Sequence, residues 1–272
     1  MSNFSTQPHL FEKLAIIGCG LIGSSIARAA RQFNVTQTIA IYDAQSSVME
    51  RVQALNLADS KIGGIGHAIK GADLIIICTP VGSCGRVAKE MAPFLEKDAI
   101  VSDVGSVKAA VVRQVAPYLP PHVHFIPAHP IAGTEFSGPD SGFSTLFQNR
   151  WCILTPEQNV NAAKLQQLTL FWEGIGAKVE KMSPEHHDKV LALTSHLPHL
   201  IAYNIVGTAD DFGEQTRSEV IKFSASGFRD FTRIAASDPI MWRDIFLNNR
   251  EAVLEMLGRF NEDLSEIGRA HV

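Results

Sequence analysis

The chain of 272 residues is long enough for one large domain or two modest ones. A hydrophobic fraction of 46% and a charged fraction of 19% are those of a globular protein with ample material for a core. The formal net charge of -4 gives no bulk attraction to nucleic acid, and no apolar run reaches the roughly 20 residues that a membrane helix needs. We therefore expect neither a nucleic-acid partner nor a membrane partner.

The cysteines indicate the compartment. Cys19, Cys78, Cys84 and Cys152 include no CxxC pair, so we interpret them as free thiols in a reducing environment. The first residues lack the basic flank and apolar run of a secretory signal. Together these features predict a cytoplasmic protein.

Short apolar runs alternate with helical patterns over the first two thirds of the chain. The runs lie at Leu14–Ile17, Thr38–Tyr42, Asp73–Cys78, Ala99–Ser102, His124–Ile126 and Trp151–Leu154. Continuous apolar strands separated by helices are typical of a parallel sheet that is covered on both faces. The pattern predicts a doubly wound α/β domain.

The pattern changes at residues 183–184, where a serine followed by a proline is a good helix start. Beyond this point the spacing predicts only helices, at about 184–211, 214–224, 229–237, 239–248 and 250–267. We therefore expect a first domain over residues 1–181 and an all-α second domain over residues 182–272. A dimer interface would be one way to bury its apolar faces, such as that formed by Val190, Leu193, Leu197, Leu200 and Ile201.

A glycine-rich turn follows the first predicted strand. Gly18, Gly20 and Gly23 form GxGxxG, with Leu21 and Ile22 between the last two glycines. The motif is weak by itself, but a preceding strand and a following helix are the context of a dinucleotide-binding turn. The glycines permit a tight turn, close approach of a pyrophosphate and close packing of helix on strand. We predict that these residues bind the cofactor at the N-terminus of the helix.

An acidic residue indicates which dinucleotide is bound. Asp43 ends the second predicted strand, 20 residues after Gly23, where a carboxylate accepts hydrogen bonds from ribose hydroxyls and repels a 2′-phosphate. Residues 44–47 contain no arginine that would bind such a phosphate. We therefore predict NAD rather than NADP, with Thr79 after the third strand in the same cofactor site. The alternative is a structural glycine turn beside a surface aspartate.

Two polar segments follow later strands, SDVGSVK at residues 102–108 and AHPIAGTE at residues 128–135. Ligands bind at the carboxyl edge of an open α/β sheet. His129, just past a strand end, is suited to accept a proton near neutral pH, and Ser106 lies where a loop meets a helix. Each has a plainer interpretation: His129 as an ordinary loop histidine, and Ser106 as a helix cap.

The helical part contains further polar candidates. His196 and His199 share a helix face, but no HExxH motif or paired cysteine set supports zinc, so we predict no metal and interpret His196 as a core histidine. Arg233 lies among apolar residues in FRDFTRIA and is suited to bind a carboxylate, with an internal ion pair to Asp230 as the alternative. Trp242 follows nine residues later.

The motifs occur together in an order that resembles the prephenate/arogenate (cyclohexadienyl) dehydrogenase family. The order is GCGLIGSS, SDVGSVK, HPIAGTE, TSHLPH, FRDFTRIA and then Trp242, from about residue 13 to about residue 250. The later motifs are more specific than the glycine turn. The resemblance implies a Rossmann-type nucleotide-binding domain, an all-α dimerisation domain that forms a homodimer, and a site in the cleft between them.

The resemblance also implies a reaction, the oxidative decarboxylation of prephenate with NAD in tyrosine biosynthesis. His129 would hydrogen-bond the 4-hydroxyl of the substrate and accept its proton, while hydride leaves for the nicotinamide and the ring carboxylate departs as carbon dioxide. Ser106 would lie near both the hydroxyl and the nicotinamide. His199 and Arg233 match residues that contact the substrate, and Arg233 would hold a carboxylate.

Three further residues match the family more loosely. Glu135 and Asp230 match acidic positions that pair with the arginine and gate the site, and Trp242 matches a residue that shapes the pocket. We expect no chorismate mutase domain before the fold and no ACT-type regulatory domain after it. Feedback by tyrosine would then have to act at the active site itself.

Other functions are compatible with parts of the sequence. A 3-hydroxyacid-type dehydrogenase would use a catalytic lysine, and residues 184–211 offer only Lys189, without a supporting glycine-rich frame. A non-catalytic NAD-sensing protein would keep the glycine turn but need not keep Ser106, His129 and Arg233 together. Prephenate and arogenate differ in a side-chain keto group or ammonium, and no residue decides between them; we favour prephenate, with arogenate used as well.

Overall fold

The computed structural model describes residues 9–59, 63–211 and 214–269. The chain folds as two compact units that divide between His187 and Asp188. The first unit contains all strands among the described residues, and the second is helical there. No helix in these ranges has the length and apolar character needed to cross a membrane.

The first unit is built on a five-stranded parallel sheet. Its strands are β1 (Phe11–Ile17), β2 (Thr36–Tyr42), β3 (Leu74–Ile77), β4 (Ile100–Asp103) and β5 (His124–Phe125). They lie in the order β2-β1-β3-β4-β5, a doubly wound arrangement. β3 is buried along its whole length, which explains its unbroken apolar sequence. The structure confirms the predicted fold class and the first five predicted strands.

Helices cover this sheet and supply most of the remaining core. They are α1 (Leu21–Gln32), α2 (Ser46–Ala54), α3 (Ile65–Ile69), α4 (Cys84–Met91), α5 (Ala109–Val115) and α6 (Ala162–Gly174). Four aromatic rings, those of Phe11, Phe147, Phe171 and Trp172, pack edge to face at centroid distances of 5.5 to 5.9 Å. These rings are fully or almost fully buried, so they form a dense apolar cluster.

The sixth predicted strand belongs to a different sheet, so its place in the parallel sheet was predicted wrongly. This second sheet consists of β6 (Ala128–Pro130), β7 (Trp151–Leu154) and β8 (Lys178–Lys181) in that order. β7 pairs antiparallel with β6 and parallel with β8. Neither partner was predicted, because β6 is only three residues long and β8 is mostly charged and exposed. The pairing places His129 opposite Ile153.

The chain order creates a crevice at the carboxyl edge of the first sheet. β1 lies between β2 and β3, so the connections that follow β1 and β2 leave in opposite directions across the sheet. Ligands bind at such switch points in open α/β sheets. The glycine-rich turn follows β1 and Thr79 follows β3, so both lie at this point.

The helices of the second unit are α8 (Leu197–Asp211), α9 (Glu214–Phe223), α10 (Ser226–Thr232), α11 (Pro239–Asn248) and α12 (Arg250–Arg269). α7 (Pro184–Leu191) begins in the first unit and ends in the second. Its predicted start is confirmed, because the Ser183 hydroxyl accepts a hydrogen bond of 3.2 Å from the backbone N–H of His186. The segment predicted as a helix over 229–237 is instead α10 followed by a 3-10 turn over Arg233–Ala236.

A turn of π-helix over Ala192–His196 interrupts the long helix predicted at 184–211. The wider turn adds a residue and rotates the side chains that follow it. As a result Leu193, predicted on an apolar face, is 56% exposed, whereas Leu191, His196 and Leu197 are buried. A regular 3.6-residue period could not predict this shift, and π turns often occur near functional residues.

Candidate active site

The glycine-rich turn has the geometry that its sequence requires. Gly18 has φ +98°, and a Cβ there would lie 2.8 Å from the carbonyl carbon and oxygen of Cys78, so only glycine fits without strain. A Cβ at Gly23 would lie 2.2 Å from the Gly18 oxygen, so this glycine lets α1 pack against the turn. Both positions are therefore structurally obligatory.

The remaining parts of the turn fit a bound diphosphate. Gly20 directly precedes α1 and has no side chain with which to cap the first N–H groups of the helix. A Cβ at Gly20 would meet no described atom within 4 Å, so the backbone can be approached closely from that side. Leu21 and Ile22 form the first turn of α1, and the methyl group of Thr79 lies beside Gly18. The uncapped helix N-terminus suits an anion.

Asp43 is held in place directly after β2. Its Oδ2 accepts a hydrogen bond of 2.9 Å from the Cys19 N–H, and its Oδ1 accepts one of 2.9 Å from the Gln45 N–H. The carboxylate is therefore fixed beside the glycine turn, where its predicted contact with a ribose stays a prediction. Burial, with a smaller contribution from the Asp43 charge, raises the pKa of the Cys19 thiol to about 12. The thiol is thus neutral at physiological pH.

A fully buried ion pair joins the two polar segments that follow β4 and β5. Lys108 contacts Asp103, and both side chains have 0% exposure. The Lys108 ammonium also donates to the Ala128 carbonyl at 2.7 Å, while Asp103 accepts hydrogen bonds from the Ala128 N–H at 3.2 Å and the Gly105 N–H at 2.7 Å. We call this set the Asp103–Lys108 clamp. It ties the loop that carries Ser106 to the strand that carries His129.

His129 is buried on β6, with 8% of its surface exposed. Its Nδ1 lies 2.8 Å from Nε2 of His187, which is fully buried on α7. The two rings are 5.1 Å apart at an interplanar angle of 63°. His129 is therefore a buried, hydrogen-bonded residue and not an ordinary loop histidine. No local motif in the sequence predicts the contact of His187 with His129, 58 residues away.

The loop after β6 is exposed, whereas β6 itself is buried. Residues 133–137 are all exposed, and Glu135 is among them. The loop then returns to α1, where the Phe143 N–H donates to the Ser25 hydroxyl at 3.1 Å. Gly142 is required at this crossing, because a Cβ there would lie 2.1 Å from Oγ of Ser24. Glu135 thus lies on an exposed loop whose far end is packed on α1.

In the second unit, His199 and Trp242 form a stacked pair. The ring centroids are 3.6 Å apart and the planes differ by 17°. Nδ1 of His199 lies 2.9 Å from the Ser195 carbonyl, so it is the nitrogen that donates within the helix. Burial lowers the pKa of His199, and the nearby charge of Arg233 lowers it further. The structure thus brings His199, Trp242 and Arg233 into one region with a neutral imidazole.

Two predictions about polar residues of this unit have different outcomes. His196 is a core histidine, as predicted: it is 1% exposed, and its Nδ1 lies 3.0 Å from Nδ2 of Asn249. Arg233 was expected among buried apolar residues, but it begins the 3-10 turn and is exposed, as is Asp230. The described part of the chain shows no ion pair between Arg233 and Asp230. α10 ends at Thr232, so Arg233 lies in the 3-10 turn and not on the helix. Among the described residues, no cluster of three or more histidine, cysteine or acidic side chains has a metal-binding arrangement.

Family models match both units. The model described as "Prephenate dehydrogenase, nucleotide-binding domain" matches residues 26–181, and the model described as "Prephenate dehydrogenase, dimerization domain" matches residues 183–270. A relative from Zymomonas mobilis named "Cyclohexadienyl dehydrogenase" is 46% identical over 261 residues, which is 96% of this chain and 89% of the relative.

Solved structures give the same result. The crystal structure of prephenate dehydrogenase from A. aeolicus with hydroxyphenyl propionate and NAD+ matches with a TM-score of 0.88 and 34% identity, over 97% of this chain and 91% of that chain. Synechocystis arogenate dehydrogenase matches with a TM-score of 0.79 and 28% identity, over 93% and 90% of the two chains. The chain belongs to the prephenate dehydrogenase family, whose members are NAD-dependent oxidoreductases.

Proposed function

We propose that the chain catalyses the oxidative decarboxylation of prephenate to 4-hydroxyphenylpyruvate with NAD, in tyrosine biosynthesis, and that it also converts arogenate to tyrosine. The observation that carries this proposal is His129, a buried imidazole held at Nδ1 and tied through the Asp103–Lys108 clamp to the loop of Ser106. Family membership supports this function over a 3-hydroxyacid dehydrogenase or a non-catalytic NAD sensor. The cyclohexadienyl and arogenate dehydrogenases among its relatives support the wider substrate range.

The residues around the switch point bind the cofactor in this proposal. Gly18, Gly20 and Gly23, with Leu21 and Ile22, hold the diphosphate at the N-terminus of α1. The Asp43 carboxylate accepts hydrogen bonds from the adenosine ribose, and its negative charge disfavours the 2′-phosphate of NADP. Thr79 follows β3 and Ser106 follows β4, further along the same edge of the sheet, and these two residues would hold the nicotinamide end of the cofactor. When bound at these residues, NAD would supply the acceptor for the hydride that leaves ring carbon 4.

His129 is the proton acceptor of the reaction. Its Nε2 takes the proton of the 4-hydroxyl as a carbonyl develops at that carbon, and Ser106 hydrogen-bonds the same oxygen. The ring carboxylate leaves as carbon dioxide, and the electrons of the broken bond pass through the ring to the oxygen as the ring becomes aromatic. His129 then returns the proton to that oxygen, so the protein ends in its starting state. A general base contributes about 100- to 10,000-fold to such a step.

The second unit supplies the groups that hold the substrate. Arg233 binds a substrate carboxylate, for which its exposed guanidinium is accessible. His199 is neutral because burial lowers its pKa, and its Nδ1–H donates to the Ser195 carbonyl, so Nε2 accepts a hydrogen bond from a polar substrate group. Trp242 shapes the pocket by stacking on His199. Glu135 and Asp230 are the acidic residues assigned to gate the site. Both side chains are exposed and accessible to ligand.

We also propose the assembly and location of the enzyme. Residues 1–181 form the nucleotide-binding domain and residues 182–272 form a dimerisation domain in this proposal. The boundary is supported by the two family models, of which the first ends at residue 181 and the second begins at residue 183. The exposed apolar side chains of Phe223, Ile240 and Leu247, each at least 65% exposed, support a homodimer through the helical part. The four cysteines are free, which supports a reducing, cytoplasmic location.

The test is steady-state NADH or NADPH formation with prephenate and with arogenate, each with NAD and with NADP. We expect turnover with prephenate and NAD, slower turnover with arogenate, and little with NADP. His129→Asn should lower kcat by about 100- to 10,000-fold with a modest change in KM, whereas the control His122→Asn, at an exposed position, should not. Absence of turnover with every pair of substrates would refute the function, and an unchanged kcat in His129→Asn would refute the role of that histidine.

A further inference from the structure

Two buried imidazoles form a pair in the first unit. His187 is fully buried, His129 is 8% exposed, and the 2.8 Å between Nε2 of His187 and Nδ1 of His129 is a hydrogen-bond length. A hydrogen bond between two imidazole nitrogens needs a proton on one and a lone pair on the other. The pair therefore couples the tautomers of the two rings: the proton position on one decides which nitrogen of the other is a base.

We propose that His187 is a positioning residue that makes Nε2 of His129 the proton acceptor. In this arrangement Nδ1–H of His129 donates to Nε2 of His187, so the lone pair of His129 lies on its Nε2. The opposite polarity would place the proton of neutral His129 on Nε2 and remove the base. This inference rests on the proposed function, in which His129 accepts the substrate hydroxyl proton.

The hydrogen bond also stabilises the charged form of His129 during the reaction. When Nε2 of His129 gains a proton, the cation still donates from Nδ1 to the neutral His187, and such charge-assisted hydrogen bonds are roughly twice as strong as neutral ones. Burial strengthens the effect, because little water competes with the acceptor. His187 thus acts as the third group that orients a catalytic base, although it is neutral where many such groups are carboxylates.

The backbone and the ring of His129 are held by different contacts. The Asp103–Lys108 clamp bonds both the N–H and the carbonyl of Ala128, the residue before His129, and so fixes the strand. Fixing the strand does not fix the side-chain torsions, whereas the bond to His187 acts at the ring itself. The ring orientation of His129 therefore depends on α7, an element that is remote in sequence.

The other titratable groups around the pair define its pH dependence. Asp103 and Lys108 form an ion pair with each other, and Cys152 on the neighbouring strand β7 is a neutral thiol because burial raises its pKa. His186 and Asp188 flank His187 in the chain. We assign the acid limb of the kcat/KM profile to protonation of the His129–His187 pair, which cannot hold two positive charges at a nitrogen separation of 2.8 Å.

Two substitutions of His187 separate positioning from a structural role. His187→Gln keeps a neutral acceptor, because its side-chain oxygen lies at about the place of Nε2 of His187 and can accept from Nδ1–H of His129. His187→Leu keeps the bulk of the side chain but removes the acceptor. We expect His187→Leu to lower kcat for prephenate by about 10- to 100-fold, which is part of the general-base contribution of His129, with KM and the Kd for NAD within about 2-fold. The acid limb of kcat/KM should move to lower pH, because the His129 cation loses its acceptor. His187→Gln should restore most of kcat and the position of the acid limb.

The exposed neighbour His186 provides a matched control on the same helix, and His186→Gln should behave as wild type. Equal loss of kcat in the Gln and Leu variants with an unmoved acid limb would mean a structural role and would overturn the proposal. So would a kcat within about 2-fold of wild type in His187→Leu, because the general-base contribution of His129 would then not depend on His187. The proposed function is tested separately by wild-type turnover, so its failure appears before any variant is made.

A second measurement does not depend on activity or on the folding of a variant. Nitrogen NMR of wild-type protein with isotopically labelled histidine reports which ring nitrogen of each imidazole carries the proton. We expect His129 to be protonated at Nδ1 and unprotonated at Nε2 at neutral pH. Protonation at Nε2 of neutral His129 would overturn the assignment.

Discussion

Removal of the buried ammonium in the Asp103–Lys108 clamp should destabilise the first unit. In Lys108→Met the Asp103 carboxylate stays at 0% exposure without its counter-ion, a change that typically costs 3–5 kcal/mol. Asp103 retains two backbone donors, from Gly105 and Ala128, so we expect the lower end, about 3 kcal/mol. With about 2–4 °C lost per kcal/mol for a unit of this size, Tm should fall by about 6–12 °C.

The assay is thermal unfolding followed by circular dichroism, with Lys89→Met on the exposed face of α4 as the control. A Tm within about 1 °C of wild type in Lys108→Met would refute the reasoning, because it would mean that the buried carboxylate needs no counter-ion. The double variant Asp103→Asn/Lys108→Met removes both charges. It should regain at least half of the lost stability, since a neutral pair carries no desolvated charge.

Three further predictions concern the cofactor and substrate residues. Arg233→Gln should raise KM for prephenate by about 10- to 100-fold in steady-state assays, because it removes a charge-assisted pair of about 1.5–3 kcal/mol, while Arg229→Gln on α10 should change it little. Gly18→Ala should destabilise the fold by about 1–3 kcal/mol and weaken NAD binding in fluorescence titrations, because φ is +98° and its Cβ would meet the Cys78 carbonyl; an unchanged Kd would contradict this. His199 stabilises the fold above the unfolded pKa of 6.5, and this contribution is lost as pH falls through its lowered folded pKa. His199→Gln should therefore lose less stability than wild type between about pH 7.5 and about pH 5.5 in urea unfolding, and equal losses would refute the shift.

The parallel sheet could be predicted from sequence because each of its strands carries its own signal. β3 and the Leu14–Ile17 part of β1 are buried throughout, so their residues are apolar without interruption. The strands of the second sheet lack this property. β6 is short and contains a histidine and a proline, and β8 is mostly charged and exposed, so both are strands only because β7 pairs with them.

Helix positions were predictable, but the faces that they bury were less so. The start of α7 follows from local capping chemistry, which a sequence displays directly. The π turn over Ala192–His196 depends on the packing of the whole unit, and it leaves Leu193 exposed against the regular period. The exposure of Arg233 has a similar origin, because α10 ends one residue earlier and the backbone tightens into a 3-10 turn.

The candidate site shows the same division between local and long-range information. The glycine turn could be predicted from the sequence because its three glycines lie within six residues and serve a single turn. The surroundings of His129 could not be predicted in this way. The residues that hold it and its strand come from β4, from the loop after β4 and from α7. The sequence identifies His129 as a candidate catalytic residue, but only the fold shows which residues hold it in place.

A buried ion pair is weak support for stability, since apolar side chains of similar volume often do as well or better. The position of the Asp103–Lys108 clamp beside Ala128 suggests a different test of what it contributes. The double variant that removes both charges should regain stability but lose the bond of Lys108 to the Ala128 carbonyl. The amide that replaces the Asp103 carboxylate keeps one acceptor oxygen for the two backbone donors, Gly105 and Ala128. A displacement of His129 by about 1 Å is enough to lower kcat by about 100-fold. A double variant with near wild-type Tm and a low kcat would show that the clamp acts on catalysis through the placement of β6, whereas recovery of both would show that apolar packing places the strand as well.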